Sequence, residues 1–303
     1  MGAVSGAPRR PRSVAELNAS TAGFMSAAGR ARGLALRTRA SDVIIATYPK
    51  CGTTWLQQIA HGLRSGGSMD FDEITQVVPW LELAHDMGVD PDAEQVARPR
   101  VFKSHLGFDD VPAGARYINA IREPGDVLLS LYRFFDGWRM EAGAISLDDF
   151  ALEFFLRREG ARGYWPHVLS WWQARRRADV LLLCYEDMLA DLPATVARIA
   201  AFIGIAADRA LLERVTRQSG LDFMKRHERQ FDDHLVRASR DAACGLPPGG
   251  YSTKVARGVS GAGRATLSAR VHAALDEAWA SRIAPVTGLA DYAAMRAALA
   301  AGI

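Results

Sequence analysis

With 303 residues and 49% hydrophobic side chains, the chain is long enough to bury a substantial core, and its net charge of +3 is too small a basic excess for a general nucleic-acid binder. Cys51, Cys184 and Cys244 are far apart and odd in number, which argues against a disulfide framework and against paired CxxC zinc sites. A reducing, cytoplasmic setting fits them best. No secretory leader and no run of about 18 apolar residues is read, so stable membrane insertion is not expected.

Residues 1–37 read as an N-terminal extension, partly disordered, and residues 38–303 as one domain. The first twelve residues are rich in Gly, Pro and Arg, and Ser13-Val14-Ala15-Glu16 has the S-x-x-E form that opens a short helix. Val43-Ile44-Ile45-Ala46 is a β-branched run, and Thr53 to Ala60 then reads as a helix: strand, tight loop, helix. The pattern recurs at Val101-Phe102-Lys103, at Tyr117 to Ile121 before a helix after Pro124, and at Val180 to Cys184 before a helix near Pro193. Short apolar runs alternating with helices predict an α/β fold with a parallel β-sheet flanked by helices on both faces. Leu147 to Leu156, His167 to Arg177 and Leu267 to Ile283 read as further helices, and a Gly-rich stretch at Gly258 to Gly263 reads as a mobile lid.

In an open parallel sheet, ligands sit outside the C-terminal strand ends, where a helix start points unpaired N–H groups at an anion. Thr47 to Thr54 has the parts of a phosphate cradle: Gly52 for a close turn, Lys50 for charge, Thr53 and Thr54 for hydroxyl donors. For a lone Lys-x-Gly-Thr, an ordinary strand-to-helix turn with a solvated lysine is an equal reading. A Walker A loop places its lysine directly after the second glycine, whereas Lys50 precedes Gly52. A cysteine phosphatase needs an arginine six positions after its nucleophile, where Gln57 stands. Cys51 therefore reads as a small loop residue, although a thiol at a helix start can turn acidic.

His105 stands just beyond a strand, at the same sheet edge, and Lys103 stands beside it. Taken alone, a histidine here is more often an ordinary core or surface residue, and Lys103 reads equally as a solvated strand-end lysine. Arg122 ends a strand and Ser130 follows eight residues on in a helix, so both can face one anion; an Arg fork matches a phosphate and Ser adds an uncharged donor.

Tyr48-Pro49-Lys50-Cys51-Gly52-Thr53-Thr54-Trp55 resembles the 5'-phosphosulfate loop of the cytosolic sulfotransferases, Y-P-K-S-G-T-T-W, with Cys for Ser. Lys103-Ser104-His105-Leu106 is similar to their K-[ST]-H-L, and Arg122 to Ser130 to their 3'-phosphate motif R-x-x-x-D-x-x-x-S. Tyr185-Glu186-Asp187 is similar to their Y-E-D, Val78 to Glu82 to V-P-F-L-E, and Ala256-Arg257-Gly258 with Gly261 to the flap R-K-G-x-x-G, whose first basic residue and terminal Asp-Trp are missing. The resemblance runs from about residue 42 to about residue 268 and implies a P-loop-like fold that binds 3'-phosphoadenosine 5'-phosphosulfate (PAPS).

It further implies that Lys50, Cys51, Gly52, Thr53, Thr54, Trp55, Arg122, Ser130, Tyr185, Ser219, Leu221, Arg257 and Gly258 hold the nucleotide. Trp80 and His105 would face a small-molecule or lipid acceptor. His105 would be the base that takes the acceptor proton, Lys50 would stabilise charge on the leaving phosphate, and Lys103 would touch the transferred sulfonate; the scheme requires no metal. A kinase would need magnesium and a Walker B carboxylate, for which no convincing run is found. The altered flap keeps open a homologue that binds nucleotide without turnover.

Overall fold

The computed structural model describes residues 7–160, 163–250, 254 and 260–302. Four short strands, β1 (Val43–Ala46), β2 (Val101–Ser104), β3 (Arg116–Ile121) and β4 (Val180–Cys184), pair in parallel in the order β2-β1-β3-β4. Their side chains are buried nearly throughout, as a parallel sheet covered on both faces requires. Alternation divides them between two cores. Ile44, Phe102, Tyr117 and Leu182 join a core with Val168, Trp171 and Val271, whereas Val43, Val101, Ile118 and Leu181 join Leu56, Ile59, Val196 and Ile199 on the other face.

The chain leaves β1 toward β2 on one side and leaves β3 toward β4 on the other. The crevice beyond the carboxyl ends of β1 and β3 is therefore the topological switch point where such sheets bind ligands. The sheet's lower end is fixed by a buried bidentate ion pair, in which Arg100 donates to Asp42 over 3.0 and 2.6 Å.

Some elements differ from their sequence reading. Residues 7–12, expected to lack structure, are tied down: Arg10 Nε donates to the Trp138 carbonyl at 3.2 Å, and the Pro11 carbonyl accepts from Glu141 N–H at 2.8 Å. Two short helices follow, α1 (Val14–Ala22) and α2 (Ala27–Leu34), both N-capped by serine hydroxyls. Glu16 does not close a capping box on Ser13, because its carboxylate is taken by Arg9 and by the Arg12 backbone N–H. The helix expected over 147–156 is a single turn, Leu147–Asp149, running into a π-helical turn, Phe150–Phe155, that buries Phe150, Phe154 and Phe155.

Candidate active site

The loop after β1 leads into α3 (Thr53–Ser65) through two left-handed residues, Lys50 (φ 72°) and Gly52 (φ 94°). Glycine is favoured at 52 by that φ, and a Cβ there would sit tightly, 3.2 Å from the Tyr185 ring. Gly52 caps α3 with no side-chain bond, so first-turn N–H groups of this 13-residue helix face the crevice without a side-chain acceptor. Thr47 and Thr53 share a hydroxyl hydrogen bond of 2.5 Å that fixes the loop's two ends. From the end of β3, Arg122 Nη1 donates to the Lys50 carbonyl at 3.1 Å, and its guanidinium lies over the Tyr185 ring at 4.1 Å.

An aromatic wall continues from there. Trp55 meets Tyr185 edge to face at 5.7 Å and donates from Nε1 to the Ser219 carbonyl at 2.8 Å. The Ser219 hydroxyl is buried with no hydrogen-bond partner among the described residues, and Leu221 sits half-exposed at the rim. A planar heterocycle would find stacking faces and an unused donor here.

The second half of the site is built on β2. His105 Nδ1 lies 2.7 Å from the Thr47 carbonyl, which only accepts, so Nδ1 carries the proton and a neutral ring keeps Nε2 as its acceptor. The His105 backbone N–H donates to Glu82 at 2.9 Å, and the Trp80 ring packs edge-on against the imidazole at 4.9 Å. Burial, with Lys103 adding repulsion, holds the imidazole well below its ordinary pKa. Two ammonium groups cover aromatic faces, Lys103 over Trp80 at 3.6 Å and Lys50 over Phe134 at 4.1 Å. Burial first, then repulsion from Lys254, pulls both down to about 7.

One cavity of about 810 Å³ takes in Lys50, Gly52, Thr53, Thr54, Trp55, Trp80, Lys103, His105, Arg122, Ser130, Tyr185, Ser219 and Leu221. Cys51 is the exception among the described sequence-derived candidates: its side chain is fully buried in the core, and burial pushes its thiol up rather than making it acidic. Arg257 and Gly258 lie outside the described residues. The described end of the Gly-rich stretch is pinned, not loose. Asp126 accepts from Ser260 Oγ at 3.0 Å and from the N–H groups of Gly261 and Gly263 at 2.7 Å each, and Gly263 sits where a Cβ would meet the Gly125 backbone at 2.5 Å.

Sequence reasoning had missed four residues. Asp126 was signalled by the fixed Asp of the arginine-serine motif, and Glu82 by its place two residues after Trp80. Asp233 and Lys254, a buried ion pair in the cavity, carry no local signal, since only the tertiary fold brings them together.

The parallel sheet, the anion cradle at its switch point and the aromatic wall beside it define a P-loop-like α/β protein with a nucleotide-sized cavity. Residues 40–279 match the model of the Sulfotransferase domain, and the chain belongs to that family. Human sulfotransferase 4A1 is 32% identical over 189 residues, a stretch covering 59% of this chain and 65% of that relative, just under two thirds of its length. Mouse sulfotransferase 1B1 is 31% identical over 66% of this chain and 71% of the relative. Among solved structures, mouse sulfotransferase SULT7A1 complexed with PAP, 3'-phosphoadenosine 5'-phosphate, has the same fold with a TM-score of 0.66 and 20% identity, over 86% of this chain and 90% of that one. Among the described residues no helix is long and apolar enough to cross a membrane.

Proposed function

We propose that the chain transfers a sulfonate group from PAPS to a hydroxyl or amine of an apolar small molecule or lipid, with residues 38–303 as the catalytic domain and the cytoplasm as its setting. The observation that carries this reading is the pairing in one cavity of a neutral, Nδ1-anchored His105 with the Lys50 to Thr54 cradle and Arg122. Solved structures of the same fold include PAP complexes, which favours the same nucleotide here. The donor set fits it: a helix N-terminus, an Arg fork and Ser130 for two phosphates, and Trp55, Tyr185 and the Ser219 hydroxyl, unpartnered among the described residues, for a base.

PAPS when bound supplies a sulfonate already activated by its phosphate leaving group. His105 Nε2 then takes the acceptor proton, while the Thr47 carbonyl holds the ring's tautomer and orientation. Lys50 stands at the cradle, where negative charge builds as the phosphate leaves, and stabilises that charge more than the ground state. Lys103, one strand over, orients the sulfonate oxygens. Phe24, Phe134, Trp138 and Trp80 give the acceptor an apolar enclosure, which favours a ring-bearing alcohol, phenol or lipid.

A thermal-shift comparison tests the nucleotide, because a ligand bound only by the native state raises the melting temperature. PAP should raise it without magnesium. A rise with magnesium ATP and none with PAP would point to a phosphoryl-transfer protein instead.

A further inference from the structure

Among the described residues, Lys50 (φ 72°) and Asp233 (φ 61°) are the only non-glycine residues with left-handed backbone, and both line the same cavity. Such a conformation persists only where its surroundings enforce it. Around Asp233 they do. Asp232 pairs with Arg237 at 3.3 Å and with His234 at 2.7 Å, His234 reaches Asp72 at 2.9 Å, and the Leu235 N–H donates to Glu73 at 2.6 Å. These bonds clamp both flanks of Asp233 from outside and leave its side chain facing inward.

Inside the cavity Asp233 forms an ion pair with Lys254, their side chains 3% and 8% exposed. The positive charges of Lys254, Lys103 and Lys50 hold the Asp233 carboxyl below the usual carboxylate range against the cost of burial. The Asp233 carboxylate thus stands among three lysines in a site built for anions. No step of the proposed transfer uses it, and a fixed negative charge opposes any bound polyanion across a low-dielectric cavity. A buried charge is tolerated only with a partner, and before nucleotide arrives Asp233 is that partner.

We propose that the Asp233–Lys254 ion pair is the charge balance of the nucleotide cavity: Lys254 is a further anion-binding residue, and Asp233 positions it and weakens the grip on the bound polyanion. This rests on the reading that the cavity takes a doubly phosphorylated nucleotide. Removing either partner alone changes the cavity charge by one unit, in opposite directions, and removing both restores the sum.

The experiment is titration of the full-length protein with PAP by calorimetry, with melting temperature recorded for each variant. Asp233→Asn should bind PAP at least tenfold more tightly, Lys254→Met at least tenfold more weakly, and the double variant within about threefold of wild type. Lys254→Arg, which keeps the charge, should stay near wild type. Single variants that move affinity in the same direction, or not at all, overturn the proposal, since a purely structural pair would lower melting temperature without that sign reversal. If Asp233→Asn does not fold, Lys254→Met against Lys254→Arg decides alone: equal affinities refute the role. Wild-type protein that binds no PAP removes the nucleotide reading and this one together, whereas normal wild-type binding with unmoved variants removes only this one.

Discussion

The Arg122 guanidinium donates to the Lys50 carbonyl across 3.1 Å, joining the end of β3 to the loop that follows β1. Lys50 has left-handed backbone there, so the bond holds a loop conformation that the residue itself disfavours. The same guanidinium is kept flat by the Tyr185 ring, 4.1 Å away, and by Asp126 at 3.7 Å. One side chain therefore shapes the cradle and places a fork of donors at the switch point.

Arg122→Ala should accordingly weaken PAP binding by about 1.5–3 kcal/mol, more than tenfold, in the range of a charge-assisted hydrogen bond. Adenosine 5'-phosphosulfate, which lacks the 3'-phosphate, should lose less. Calorimetric titration with both ligands checks this, and an equal loss for the two would take Arg122 out of the 3'-phosphate site and leave it only the loop-shaping role.

Lys50 and Lys103 give a pH dependence of definite sign. Burial lowers both to about 7, whereas in the unfolded chain they keep the ordinary value of about 10.5. Between these limits the unfolded state holds more protons, so the stability of the nucleotide-free protein rises with pH from about 7 upward. Nucleotide binding runs the other way. An anion needs the charged ammonium, so above pH 7 each lysine must regain a proton, and the Kd for PAP should rise by up to about tenfold per pH unit per lysine. Calorimetry at about pH 8 in buffers of different ionisation enthalpy should register proton uptake on binding; no uptake would mean that both lysines are already charged.

How far the site was legible depends on whether its parts are local in sequence. The Tyr48 to Trp55 loop could be read because strand, left-handed turn and helix start are consecutive, so residue type and geometry are fixed together. His105, Arg122 and Ser130 could be placed at one sheet edge because parallel strands put all their carboxyl ends on one side. Cys51 reads from sequence as a small loop residue, but which way its side chain turns is decided by packing against the core. Asp233 could not be read at all, since its inward aim follows from Asp72, Glu73 and His234 clamping its neighbours, contacts that span about 160 residues. The helices between Arg209 and Arg240 were also unread, being short and interrupted by Gly220 and paired aspartates.

His105 yields a prediction that separates burial from base strength. Its imidazole is held well below the ordinary value of about 6.5, so it stays neutral and able to accept a proton throughout the neutral range. The acid limb of kcat/KM in a PAPS-dependent assay should therefore fall below pH 6.5, and His105→Ala should lower turnover by about 10²–10⁴-fold with PAP affinity nearly intact. A limb at or above 6.5 would show a solvated imidazole, and unchanged turnover in the variant would give the proton to another group.

The last expectation concerns the scaffold under the site. Asp42 and Arg100 are 0% and 2% exposed and joined by two hydrogen bonds at the amino ends of β1 and β2, the strands that carry Lys50 and His105 at their other ends. Arg100 also donates to the carbonyls of Arg37, Pro91 and Asp92, so its charge stays buried when its partner is removed. Asp42→Ala should then cost about 3–5 kcal/mol, the penalty for stranding one buried charge, read by urea denaturation. Replacing both residues by apolar side chains of similar volume should cost less than Asp42→Ala alone, because it removes the stranded charge as well as the attraction. A loss in the single variant no greater than about 1 kcal/mol, the range of a surface pair, would mean that water reaches Arg100 and that the strand ends are not sealed.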